Sequence, residues 1–122
     1  MVNKVELIGF LGVNPDFRKT PDGVQIATAK IATTRFYRNA NGETCRETEW
    51  HRLVFFGELA GFANTTLRKG MLVRIEGRLK TRKWVRDGQD HYTTEIIVNE
   101  VQILSKKEGV GEEAQEEKPA QG

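Results

Sequence analysis

The sequence predicts an all-β domain: a small Greek-key barrel of five strands, one helix between the third and fourth, and a disordered tail. Three observations carry this expectation. Stretches rich in β-branched and aromatic residues recur between turn signals. A single segment shows helical periodicity. Sizeable apolar residues all but vanish after about residue 104.

The elements follow in chain order. Lys4–Gly12 is a short apolar stretch of β-formers, closed by Gly12 and Pro15. Pro21-Asp22-Gly23 is a turn, because proline fixes φ and glycine permits a positive one. Val24–Arg38 reads as a long strand, favoured by Val24, Ile26, Thr28, Ile31, Thr33 and Thr34. Asn39-Ala40-Asn41-Gly42 carries a hairpin signal before a strand at about Thr48–Phe56. Leu59, Phe62, Ala63, Thr66 and Leu67 then form one apolar stripe, predicting a helix over about Glu58–Lys69. Glu58 suits its dipole at the start, Arg68 and Lys69 at the end, and Gly70 is placed to cap it. Two strands, about Met71–Val85 and His91–Leu104, flank an Asp87-Gly88 turn. Five strands with this one helix match the OB-fold, giving a domain over 1–104. Residues 105–122 hold only Val110 as a sizeable apolar side chain and are expected to be a disordered acidic tail.

Composition narrows the function. No apolar run approaches the roughly 20 residues of a spanning helix, and no signal peptide is read at the start. Cytoplasmic residence is expected, in accord with a single cysteine, Cys45. Without a CxxC motif and with only His51 and His91, no metal site is expected. No Ser/His/Asp set, carboxylate pair or phosphate loop is visible, so neither enzyme nor cofactor is expected. Charge is uneven. Residues 1–104 carry 16 Lys+Arg against 12 Asp+Glu, while residues 105–122 carry 3 against 5. A basic body points to a polyanionic partner.

Strand parity sharpens this. Side chains alternate between the faces of a strand. Over Leu72–Trp84, the odd positions Val73, Ile75, Gly77 and Leu79 are expected to face the core. Trp84 then shares the solvent side with Lys80 and Arg82. In Thr48–Phe56, Trp50, Arg52, Val54 and Phe56 share one face, and Glu49, His51, Leu53 and Phe55 the other. Tyr37, beside Arg35 and Arg38, is a further aromatic candidate. Residues 68–86 hold eight basic side chains against one acid, Glu76. Basic grooves interleaved with aromatic faces bind single strands. Each stacked base contributes about 1–3 kcal/mol, a magnitude borrowed from binders of that class.

Six segments resemble the bacterial single-stranded DNA-binding proteins in order and spacing. They are Asn3–Gly9, Thr48-Glu49-Trp50-His51-Arg52, Leu67–Gly70, Ile75–Leu79, Thr81–Trp84 and Tyr92–Glu95. The resemblance spans about residues 2–104. It implies sequence-independent coating of single-stranded DNA in replication, recombination and repair, by a homotetramer of OB-folds. It implies stacking for Trp50, Phe56 and Trp84, with Tyr37 at a position usually held by tryptophan. It implies phosphate contacts for Lys4, Arg18, Arg52, Lys69, Lys80, Arg82 and Lys83, while Glu58 stands where relatives often have lysine. His51 matches a subunit-interface histidine, and the Asn3–Leu7 strand, with Val5, is the other expected contact. The family typically ends in acidic residues followed by Ile-Pro-Phe, which docks onto replication and repair enzymes. This sequence closes Glu116-Glu117-Lys118-Pro119-Ala120-Gln121-Gly122, so weak or no binding to those enzymes is expected. Two other readings of the fold are an accessory adaptor of primosomal type and an RNA binder, the latter marked by 2′-hydroxyl contacts.

Overall fold

The computed structural model describes residues 1–106. Six strands and one helix run in the order β1 (Val5–Leu11), β2 (Asp16–Lys19), β3 (Gln25–Arg38), β4 (Thr44–Phe56), α1 (Glu58–Thr66), β5 (Leu72–Arg86) and β6 (Gln89–Ser105). Five of them close a barrel in the order β1-β5-β6-β4-β3, sealed by pairing of Phe10 and Leu11 on β1 with Ala32 and Ile31 on β3. All neighbours are antiparallel except β4 and β6, which meet in parallel at Leu53–Ile96 and Val54–Ile97. The helix lies between the third and fourth barrel strands, as the order of elements predicts.

The sixth strand, β2, is additional to the expected five. The turn at Pro21–Gly23 is in fact the hairpin joining it to β3, with Asp16–Lys19 paired to Gln25–Thr28. Gly23 has φ +90°, and Thr20 N–H donates to the Val24 carbonyl. Only Phe17 among its four residues is large and apolar, too few for a period to show.

The core gathers the odd positions of the barrel strands. Leu11, Ile31, Leu53, Phe55, Val73 and Ile75 are buried together with Ile96 and Val98. Burying side chains of this size contributes about 1.5–3 kcal/mol each. Ala60, Ala63 and Leu67 plug one end. This stripe is turned relative to the expected one: Leu59 is half-buried and Phe62 is exposed. The helix also stops at Thr66, short of Lys69. Gly70 therefore does not cap it; its N–H donates to the Leu11 carbonyl and fastens the turn to β1. Arg68 serves the helix end instead, donating to the carbonyls of Asn64 and Leu67.

Two hairpins outrun the barrel. Strand β5 pairs with β1 only as far as Gly77 opposite Val5, and beyond that β6 is its sole partner. Every residue from Arg78 to Asp90 is exposed. This corrects the expectation for Leu79. Its parity is that of the core face, but it is 49% exposed because the ribbon has left the barrel. At the tip, Asp87 and Gly88 both have positive φ, 54° and 78°. That is the geometry whose twist matches a two-residue hairpin. The β3–β4 hairpin extends likewise past Ala32–Trp50, its loop fastened by Asn39 Oδ1 accepting from the N–H groups of Asn41 and Glu43. Strand β6 runs through Ser105, so the expected boundary after residue 104 falls inside its last turn of pairing. The rest of the expected tail, from residue 107, lies outside the described residues.

Candidate nucleic-acid interface

A groove runs across the outer faces of β3, β4, β6 and β5. Its volume is about 510 Å³, and its walls carry Arg18, Arg52, Phe56, Arg78, Lys80 and Arg82. The register explains the convergence. Phe56 lies opposite Ile26, which lies opposite Arg18 on β2. Arg78 lies opposite Ile97 and Lys80 opposite Glu95. All are outward positions of strands whose alternate residues fill the core. Four of the seven expected phosphate contacts thus share one groove: Arg18, Arg52, Lys80 and Arg82. Arg78 joins them; its place in the basic run from residue 68 was the available signal.

At the floor sits Glu95, 8% exposed. Its carboxylate is 3.3 Å from the Arg82 guanidinium and 4.0 Å from that of Arg52. A smaller adjoining hollow of about 260 Å³ shares Arg52 and Glu95 and reaches Lys30 and Asp16.

Three aromatics flank this strip. Phe56 and Trp50 are 45% and 56% exposed, on the same face of β4 as Arg52. The Trp50 ring lies against Gly12, where any added Cβ would overlap it. Trp84, on the outward face of β5 with Lys80 and Arg82, stacks on His91 with centroids 4.6 Å apart and planes 20° apart. Its indole N–H donates to Thr93 Oγ1 at 3.0 Å. These partners order the ring while leaving it 37% exposed.

Other expected site residues lie elsewhere. Tyr37 pairs with Cys45 on the opposite face of the β3–β4 ribbon from Trp50, its ring beneath the Arg35 guanidinium at 4.8 Å. The aromatic on the Trp50 face is its neighbour Phe36, opposite Arg46 and 54% exposed. Lys83 likewise has the opposite parity to Arg82, and pairs with Asp90 at 3.4 Å. Lys69 follows the helix, its N–H bound by Asn14. Lys4 pairs with Glu76 at 3.8 Å on the β1–β5 side. That side carries its own cluster. Arg74 donates to Glu6 at 2.6 Å and to Glu76 at 3.0 Å, and these bonds raise its pKa.

The expected subunit contacts are also placed. Val5 and Leu7 pack partly against the core. Asn3 exchanges two hydrogen bonds with the Leu79 backbone, both 2.9 Å, lengthening the β1–β5 ladder by a side chain. His51 Nε2 meets Thr33 Oγ1 at 2.9 Å on the face opposite Trp50. Among the described residues, no cluster of three or more His, Cys, Asp or Glu is placed to hold a metal ion. No helix of theirs is long and apolar enough to cross a membrane.

An OB-fold barrel with a basic groove and exposed aromatic faces along it defines a single-strand nucleic-acid binding module. The chain belongs to the single-strand binding protein family, whose sequence profile matches residues 2–104. Among solved structures it is similar to the SSB of Plasmodium falciparum in complex with single-stranded DNA. That match has 34% identity and a TM-score of 0.81 over 86% of this chain and 96% of the other. It is also similar to a deletion mutant of the single-stranded DNA binding protein from Thermus aquaticus. There the identity is 32% and the TM-score 0.76, over 90% of this chain and 52% of that one.

Proposed function

We propose that this chain binds single-stranded DNA without reading its sequence and without catalysing a reaction. Bases stack on Trp50, Phe56, Trp84 and Phe36, while phosphates meet Arg18, Arg52, Arg78, Lys80 and Arg82. The observation that carries this reading is the shared face: five cations and Phe56 line one groove, and the exposed rings of Trp50 and Trp84 have the same strand parity as Arg52 and Arg82. Stacking needs a ring with a free face, and bases offer theirs only when unpaired. The family match and the likeness to an SSB solved with single-stranded DNA support the same reading.

The chain works in replication, recombination and repair, in the cytoplasm and on the nucleoid, by covering exposed strands. It assembles as a homotetramer through the β1 strand and His51. Light scattering at micromolar concentration checks the assembly: a tetramer mass is expected, and a monomer contradicts it. Competition among oligo-dT, matched RNA and duplex DNA checks the ligand. Oligo-dT should win, and preference for RNA would reassign the module.

A further inference from the structure

A groove for a polyanion has a carboxylate at its floor, which requires a physical account. Glu95 is the only charged residue among the described ones that is buried. Cations share the groove with it from three strands, Arg52 on β4, Arg82, Lys80 and Arg78 on β5, and Arg18 on β2, while β3 lines it with Ile26 and Thr28. Across the adjoining hollow stand Lys30 and Asp16. A buried carboxylate is tolerated only when paired, and Arg52 and Arg82 pair with it while remaining half exposed themselves. Its charge also opposes any phosphate that enters.

We infer that Glu95 is a built-in counter-charge that sets the ionic share of binding and so favours single strands over duplex. It takes up one of the two guanidinium charges at the centre of the groove. Arg52, Glu95 and Arg82 together then offer one net positive charge rather than two. A single strand loses less, because each phosphate neutralised on it contributes about 0.7 to the salt slope against about 0.9 on duplex, and stacking on the rings is untouched. Duplex DNA cannot stack its bases on the protein and presents one charge per about 1.7 Å of axis. It depends on the ionic term and is penalised more. This inference rests on the proposed DNA-binding reading.

The test is the dependence of affinity on salt, measured for oligo-dT and duplex DNA with the wild type and Glu95→Gln. Glutamine keeps the shape and can still accept from one arginine. The oligo-dT slope should steepen by about 0.7 and the duplex slope by about 0.9, the values for one added phosphate neutralised. On a tenfold drop in salt, the variant should gain about fivefold more affinity for oligo-dT than the wild type, and about eightfold more for duplex. An unchanged or shallower slope in Glu95→Gln overturns the inference. A second comparison does not depend on that variant folding. Arg82→Gln alone should flatten the oligo-dT slope by about 0.7, as Lys80→Gln does, whereas Arg82→Gln/Glu95→Gln, which removes both charges of the pair, should return it to the wild-type value. A double variant as flat as Arg82→Gln alone overturns the inference. If the wild type itself fails to bind oligo-dT, the functional reading fails rather than the role of Glu95.

Discussion

Trp84 lies nearly parallel to the imidazole of His91, ring centroids 4.6 Å apart, with its N–H committed to Thr93. One face of the indole is thus taken and its polar edge satisfied, leaving the other face for a base. Trp84→Ala should weaken oligo-dT binding by about 1–3 kcal/mol, a range borrowed from single-strand binders of this class, and leave the salt slope nearly unchanged. His91→Ala removes a support rather than a contact. It should cost no more than about 1.5 kcal/mol, the upper value for an aromatic pair. Fluorescence titrations of both variants check this, with a melting curve for each.

Trp50 depends on Gly12. An alanine there would overlap the indole, so Gly12→Ala must displace the ring from its place beside Arg52. Oligo-dT affinity should fall with little change in slope, and tryptophan emission of the free protein should shift. Unchanged binding with an unchanged spectrum would contradict the dependence of Trp50 on Gly12.

Phe36 and Tyr37 are adjacent yet face opposite ways. Phe36→Ala should weaken oligo-dT binding by about 1–3 kcal/mol if one base stacks there, again a borrowed range. Tyr37→Ala should leave binding within a few tenths of a kcal/mol, the usual size of a surface change. Equilibrium titrations on the two variants decide which ring is used.

The proposed phosphate contacts divide in the same way. Lys80 lines the groove, while Lys83 points from the other face of the ribbon toward Asp90. Lys80→Ala should reduce the salt slope by about 0.7, one phosphate's worth for a single strand. Lys83→Ala should reduce it by clearly less. Titrations at four or more salt concentrations give both slopes.

Much of this was legible because parity is a local property. The alternation in Thr48–Phe56 placed Trp50, Arg52 and Phe56 opposite Leu53 and Phe55: the latter two are buried in the core, Arg52 and Phe56 line the groove, and Trp50 is exposed on their face. Trp84 with Lys80 and Arg82 followed by the same count. Parity does not reveal where a strand leaves its barrel, so Leu79 reads as core although its inward face meets solvent. Tyr37 stood out by residue type, but the register with β4, which depends on the loop at Asn39–Gly42, sets which neighbour shares the face of Trp50. Lys83 was grouped with Lys80 and Arg82 by resemblance, whereas its parity on β5 is opposite to theirs and it pairs with Asp90. The helix end moved because Leu67 is buried in an extended conformation, so the apolar stripe continued past the last helical residue. Strand β2 was hidden because its pairing with β3, not its composition, makes it a strand.

The central claim is that unpaired bases stack on rings set along a basic groove. Its most direct test is tryptophan fluorescence during titration of the intact chain with oligo-dT and, separately, with duplex DNA of equal length. The account predicts strong quenching and tight binding with oligo-dT, and weak binding with little quenching for duplex. Equal affinity and equal quenching with the two would contradict it.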